Sequence, residues 1–263
     1  MLALISGRGA LPARVAAAQD TAPLVCVLEG FAPDGLAPDI TFRLEHLGTL
    51  LSKLKDRDIT EVCFCGAIER PPFDPSALDA ATLPLVPVMM QAMGSGDDGA
   101  LRAVMALFEE QGFVVRAAHD LDPDILAPEG VLAGAMPEGQ ALKDIARADA
   151  ILAALSPHDV GQGCVVGAGQ VWGIETTGGT DHMLRTLPER VRGASALIVK
   201  TPKAGQDVRA DLPTIGPETI EAVASAGLAG LVVDAGHVIL LDPDETVRRA
   251  EAAGLLLWSR GPR

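Results

Sequence analysis

The chain has 263 residues, 48% of them hydrophobic, and sets 21 Lys and Arg against 35 Asp and Glu for a formal charge of −14. That length supports one large domain or two ordinary ones, with enough apolar content for a packed core. The acidity argues against nucleic acid as a partner, because phosphate-backbone binding needs a broad basic face; 3% aromatic residues and no tyrosine leave few stacking platforms for single strands.

No apolar run approaches the roughly 18 residues of a membrane-spanning helix. The opening Met1-Leu2-Ala3-Leu4-Ile5-Ser6 has no basic region ahead of a long apolar core, so a cytoplasmic protein is expected. Cys26, Cys63, Cys65 and Cys164 stand among apolar neighbours and form no paired framework, which predicts thiols and not disulfides.

In chain order, residues 2–6 predict a short buried strand, residues 12–20 an Ala-rich helix and residues 24–28 a second strand. A helix over 47–56 and a strand over 61–65 follow. The three-methionine stretch 85–93 reads as core, or as the lining of an acyl-chain groove, since methionine adapts to flexible ligands. A helix over 98–111 and a strand over 112–116 continue the alternation, which predicts a parallel sheet covered on both faces. The Pro- and Gly-rich interval 123–139 breaks it and is the linker candidate. The expected fold class is α/β, with a Rossmann-like N-terminal domain over 1–133 and a separate α/β C-terminal domain over 134–263. The second is expected to hold helices over 140–155 and 245–253 and strands over 164–166, 171–175, 196–200, 230–234 and 238–241.

Gly7-x-Gly9-x-x-Pro12 falls where a dinucleotide-binding loop falls, and Glu29 ends the second strand, where such proteins place a ribose-binding acid. Pro12 replaces the third glycine, so phosphate or sugar contact, a nicotinamide dinucleotide site and a plain tight turn all stay open. Cys63-x-Cys65 shares one strand face, and core packing is favoured there over metal or redox work. Gly96, Asp97 and Asp98 precede a helix carrying Arg102; they suit helix capping, and also Mg²⁺ or a sugar hydroxyl. Further on, Asp159-Val160-Gly161-Gln162-Gly163, Glu175 and Gly178-Gly179-Thr180-Asp181-His182 put polar residues on loops at strand ends, where α/β proteins build their sites. His158 and His182 have no histidine partner at i+2 or i+4, which disfavours zinc.

The most informative segment is Lys200–Gly216, where Lys200, Lys203 and Arg209 alternate with Asp207 and Asp211 among Pro202, Gly205, Pro213 and Gly216. Spaced cations suit phosphate oxygens, carboxylates suit a hard divalent metal, and Pro and Gly fix a loop. An exposed charged turn is the plain alternative.

Taken together, Gly7-Arg8-Gly9-Ala10-Leu11-Pro12, Gly96-Asp97-Asp98, Asp159–Gly163, Gly179-Thr180-Asp181, Lys200-x-Pro202-Lys203 and Arg209–Gly216 resemble the LpxI family of UDP-2,3-diacylglucosamine pyrophosphatases nearly end to end. Asp211-Leu212-Pro213-Thr214-Ile215-Gly216 is the most specific of these motifs. The resemblance implies Mg²⁺-dependent hydrolysis of UDP-2,3-diacylglucosamine to UMP and 2,3-diacylglucosamine 1-phosphate, a cytoplasmic step of lipid A synthesis. It also implies a Rossmann-like N-terminal domain, a C-terminal catalytic domain, a ligand held between them, a homodimer, and at most peripheral contact with the inner face of the inner membrane. The family's essential aspartate falls on Asp211, as catalytic residue and metal ligand. Substrate contact falls on Gly7, Gly9, Leu11, Pro12, Gly96, Asp97, Asp98, Gly179, Thr180, Asp181, Lys200, Lys203, Arg209 and Thr214. Arg8 replaces a glycine of the more usual Gly-Gly-Gly opening, and Gly179 stands where a glutamate is common, which puts a metal role there in doubt.

The chemistry agrees with this expectation: pyrophosphate cleavage spreads negative charge over oxygens and needs cations and an oriented water more than a protein nucleophile. Oxygen ligands favour Mg²⁺ or Mn²⁺ over zinc. Two rivals remain, an NAD(P)-dependent oxidoreductase and a non-catalytic nucleotide-sugar-binding protein, the latter separated from the hydrolase by turnover.

Overall fold

Strands buried on both faces of a parallel sheet read as continuous apolar runs, and β1 (Leu2–Ser6), β2 (Leu24–Leu28) and the later strand Glu61–Cys65 are buried along almost their whole length. The computed structural model describes residues 1–69, 73–94 and 96–261, without the side chain of Asp97. By its contacts the chain divides into two units, the first holding Met1–Pro123 and Asp207–Asp211, the second Asp124–Gln206 and the chain from Leu212 onward. The division falls ahead of the 133/134 boundary expected from the linker composition, because Gly130–Ala133 pairs with the last strand of the second unit.

In the first unit the short edge strand β3 (Ile40–Phe42), β4 (Glu61–Cys65) and β5 (Val114–Arg116) complete a parallel sheet in the order β3-β2-β1-β4-β5. This is the expected Rossmann-like arrangement, with two strands on either side of β1 and the order reversing between β1 and β4. Helix α1 (Leu11–Ala17) stops short of residue 20, where the Gln19 side chain turns back onto the Val15 and Leu121 carbonyls. Helix α2 (Leu47–Lys55) buries Leu47, Leu50, Leu51 and Leu54, a stripe at i, i+3, i+4 and i+7. Helix α3 (Val86–Met93) buries Met89 and Ala92 but leaves Met90 and Met93 exposed, so the methionine stretch is core on one face only. Helix α4 (Asp97–Glu110) sets Phe108 edge-on against Phe64 of β4, with ring centroids 5.2 Å apart. A single turn, α5 (Ala118–Leu121), follows β5.

One buried charge organises the loop ahead of α3. Glu45, 1% exposed, accepts hydrogen bonds from the Asp74 backbone N–H at 2.7 Å and from Arg43 Nε at 3.2 Å. Burial pushes its carboxyl up, but the Arg43 and Asp74 hydrogen bonds and the Arg43 charge outweigh that and hold it at about 2. A depressed value stabilises the fold fully above the ordinary carboxylate range, and the contribution is lost as pH falls through about 2. Glu45→Gln is therefore expected to cost on the order of 2 kcal/mol at pH 7. In urea melts the gap from wild type should narrow between pH 5 and pH 3; a gap independent of pH would contradict the charge account.

The second unit forms a mixed six-stranded sheet in the order β6-β13-β11-β9-β7-β8. Its strands are β6 (Gly130–Ala133), β7 (Gly163–Gly167), β8 (Gln170–Ile174), β9 (Leu197–Lys200), β11 (Gly230–Asp234) and β13 (Leu256–Arg260). Strands β9, β11 and β13 are parallel to one another, while β6 and β7 run antiparallel to their neighbours. The expected strand 238–241 shrinks to β12 (Ile239–Leu240), which pairs with β10 (Thr214–Ile215) in a separate two-stranded ribbon. Helices α6 (Gln140–Leu155), α7 (Gly179–Arg185), α8 (Pro217–Ala226) and α9 (Pro243–Ala252) complete the unit. Cys26, Cys63, Cys65 and Cys164 are all buried. Burial pushes the Cys26 thiol up to about 12 and the Cys164 thiol up to about 11, which makes both poor nucleophiles.

Candidate active site

The Gly7–Pro12 loop is shaped by its neighbour in the sheet. Gly7 N–H donates to the Cys65 carbonyl at 2.8 Å, and Arg8 and Ala67 exchange two backbone hydrogen bonds of 2.9 Å. A Cβ on Gly7 would lie 2.4 Å from the Ala67 carbonyl oxygen, and one on Gly66 2.6 Å from that of Gly7. Gly7 thus admits the loop after β4, in the gap between β1 and β4 where a dinucleotide lies in folds of this strand order. Arg8 folds over the Phe31 ring at 4.8 Å and donates to the Gly30 carbonyl at 3.1 Å. Gly9 carries φ +93° and accepts from Asp34 N–H, while Leu11 and Pro12 open α1 with Pro12 buried. Glu29 is exposed and lies 3.7 Å from Arg43.

Also in the first unit, Gly96 is the N-cap of α4 and Asp97 its first residue. Asp98 pairs with Arg102 at 2.7 Å, as i,i+4 spacing allows, and accepts the Asp207 backbone N–H at 3.4 Å. Residues 207–211 are fastened here by Arg209, whose Nη1 donates to Glu109 at 2.5 Å and whose Nε and Nη2 donate to Asp207 at 2.9 and 2.7 Å. These bonds raise the Arg209 value and lower that of Asp207. Ala210 packs against the apolar core, and Asp211 N–H reaches the Asp207 carbonyl at 3.4 Å. Arg209 is thus a clasp that fastens the segment carrying Asp211, with its charge already shared by two carboxylates.

In the second unit, polar side chains gather at the carboxyl ends of parallel β9, β11 and β13, the end at which open α/β sheets bind ligands. Lys200 closes β9 at 6% exposure, donates to Thr180 Oγ1 at 2.6 Å and stands 3.8 Å from Glu175 Oε2. Lys203 donates to Asp159, which adopts left-handed backbone, and its own N–H is held by Gln206 Oε1 at 2.8 Å. Gly179 and Thr180 begin α7, with Asp181 exposed in its first turn. Thr214 lies in β10 and donates to the Leu212 carbonyl at 3.3 Å. The geometry therefore joins Thr180 to Lys200 and holds Lys203 on a separate pair with Asp159, while Thr214 stands in the separate ribbon.

Two groups outside the expected site share this sheet end. Asp234, closing β11, accepts from Thr201 Oγ1 and from Arg260 Nε at 2.7 Å, and Arg260 also grips Asp149 through both terminal nitrogens at 2.8 and 2.6 Å. The acid that ends the apolar run 230–233 was the available signal for Asp234; Arg260 gave none, since β13 was not predicted. Glu175 was visible only as one member of the polar series, without its burial.

Among the described residues, no three or more His, Cys, Asp or Glu side chains converge to hold a metal. Mg²⁺ needs no such cage: it keeps several waters and binds through one or two carboxylates plus phosphate oxygens. Glu175 and Asp159 in the second unit, and Asp207 in the first, offer carboxylate oxygens and neither thiolate nor imidazole, so the donor types fit Mg²⁺ bound together with a phosphate-bearing ligand.

The fold and these strand-end clusters define a two-unit α/β protein with buried cations suited to an anionic ligand. Residues 1–125 match the model of the LpxI N-terminal domain and residues 128–258 that of the LpxI C-terminal domain. Over its full length the chain is 35% identical to a protein from Caulobacter vibrioides named UDP-2,3-diacylglucosamine pyrophosphatase LpxI, covering 98% of that protein. The chain belongs to the LpxI family.

Proposed function

We propose that this chain hydrolyses the pyrophosphate bond of UDP-2,3-diacylglucosamine to UMP and 2,3-diacylglucosamine 1-phosphate, with Mg²⁺, as a step of lipid A synthesis. The observation that carries the proposal is the end-to-end identity of 35% with a relative bearing that activity in its name. The geometry supports it through the loop that carries Asp211 and the buried lysines beside it in sequence.

Charge bookkeeping supports the metal. Lys200, Lys203 and Arg209 bring three positive charges, and Glu175, Asp159, Asp207 and Glu109 stand within 4 Å of them with four negative ones. Within each unit these cations are therefore already compensated, and a divalent ion is the counter-charge to a pyrophosphate that the protein does not itself supply. Asp211 is the residue that would hold Mg²⁺, which when bound neutralises and polarises the phosphoryl oxygens. Lys203 meets a phosphate oxygen by turning from Asp159, and Asp211 orients the attacking water.

The same reading carries a homodimer in the cytoplasm with peripheral access to a membrane-resident substrate. No helix among the described residues is long and apolar enough to cross a membrane. The test is mass spectrometry of products from purified protein and UDP-2,3-diacylglucosamine, with Mg²⁺ and then with EDTA. UMP and 2,3-diacylglucosamine 1-phosphate are expected with Mg²⁺ alone; their absence from folded protein under both conditions overturns the hydrolase reading, and equal yield in EDTA overturns the metal requirement.

A further inference from the structure

Glu175 is the unexplained charge of the second unit. Its Oε2 is buried and has no hydrogen-bond partner among the described residues, an arrangement that is costly for a charged group. The nearest cation, Lys200 Nζ, lies 3.8 Å away, close enough to balance charge and too far to hydrogen bond, because Lys200 is turned toward Thr180 Oγ1 at 2.6 Å. The backbone is cut to fit this carboxylate: a Cβ on Gly163 would lie 2.4 Å from Glu175 Oε2, and one on Gly161 2.1 Å from the Glu175 carbonyl oxygen. Glu175 N–H donates to the Gly163 carbonyl at 2.8 Å, which locks the residue against that cradle.

A buried donor and a buried acceptor 3.8 Å apart select their ligand by chemistry. A phosphate oxygen satisfies the lysine and is repelled by the carboxylate; a metal ion satisfies the carboxylate and is repelled by the ammonium. A hydroxyl oxygen sitting roughly 2.8 Å from each accepts from Nζ and donates to Oε2, and completes both groups. We propose that Glu175 and Lys200 form a specificity subsite for a sugar hydroxyl of the ligand, which separates Lys200 from the phosphate-binding cations. The hydroxyl comes from the ribose or from the glucosamine ring, and the proposal rests on the hydrolase reading for that choice of ligand.

The experiment pairs protein variants with ligand variants. Wild type, Glu175→Ala and Glu175→Gln are assayed for kcat/KM, and for binding by calorimetry, with UDP-2,3-diacylglucosamine and with analogues lacking the ribose 2′- or 3′-hydroxyl or the glucosamine 4- or 6-hydroxyl. One analogue is expected to lose about 10–100-fold against wild type, the worth of a hydrogen bond to a charged group, and its position names the source. In Glu175→Ala that analogue should fall within about twofold of the parent compound; if this variant does not fold, Glu175→Gln carries the test, with discrimination reduced to under about fivefold. Equal discrimination in wild type and variants, or none in wild type, overturns the subsite. Coupling seen in binding without turnover overturns the hydrolase reading and leaves the subsite standing, whereas turnover without coupling does the reverse.

Discussion

Asp211→Asn is expected to leave the fold unchanged and to lower kcat by about 10³-fold or more, the scale of losing the charge that holds a catalytic metal or orients its water. Asparagine keeps the shape of the side chain and the backbone N–H that reaches the Asp207 carbonyl, and the Arg209 clasp to Glu109 and Asp207 is untouched. The melting temperature should therefore stay within about 2 °C of wild type, since a surface-accessible isosteric change away from the core rarely costs more than about 0.5 kcal/mol. The loss should appear in kcat at saturating substrate and Mg²⁺. A folded variant that keeps more than about a tenth of wild-type kcat removes Asp211 from the chemistry. A variant whose activity returns at high Mg²⁺ assigns it to metal affinity alone.

The second large effect is structural. Arg260, 6% exposed, binds Asp149 through both terminal nitrogens and Asp234 through Nε. Burial alone pulls its value down, and the hydrogen bonds and charges of the two aspartates raise it above the ordinary value. Arg260→Ala removes the cation that neutralises both carboxylates and is expected to cost about 3–5 kcal/mol. Arg260→Lys should recover less than half of that, because an ammonium is a point charge and cannot fork to two acids. Urea melts of wild type and both variants measure the difference. A loss below about 1 kcal/mol for Arg260→Ala means that the network is replaceable by local rearrangement. Because Asp234 also accepts from Thr201, the residue after Lys200, the melts should be accompanied by a rise in KM.

The first unit was the more legible of the two, for a physical reason. Strands β1, β2 and β4 are buried on both faces and announce themselves as unbroken apolar runs, and α2 carries its leucines at helical spacing. In the second unit, β13 follows α9 after a short turn at Gly254, so its apolar run merges with the end of the helix in sequence, while α8 shows only Ile220 and Val223 as a buried face. The two-residue strands β10 and β12 exist only because each meets the other. The site follows the same division. Lys200 was visible as a cation at a strand end, but its partners Thr180 and Glu175 lie 20 and 25 positions back along the chain and meet it only by packing. Arg209 read as a phosphate ligand because its partner Glu109 lies 100 positions back along the chain.

The placement of residues 207–211 with the first unit also fixes an order of events during synthesis. A domain made early folds as it leaves the ribosome only if all of its parts are on the emerged chain. Here the first 123 residues emerge without the strap that later packs against α4, and more than eighty residues of the second unit are made before Asp207 arrives. The second unit waits longer still, since β6 pairs with β13, its first strand with its last. Neither unit is complete until the C-terminal half has been translated, so the loop that carries Asp211 takes its place late, on a parallel sheet whose strands have long been available.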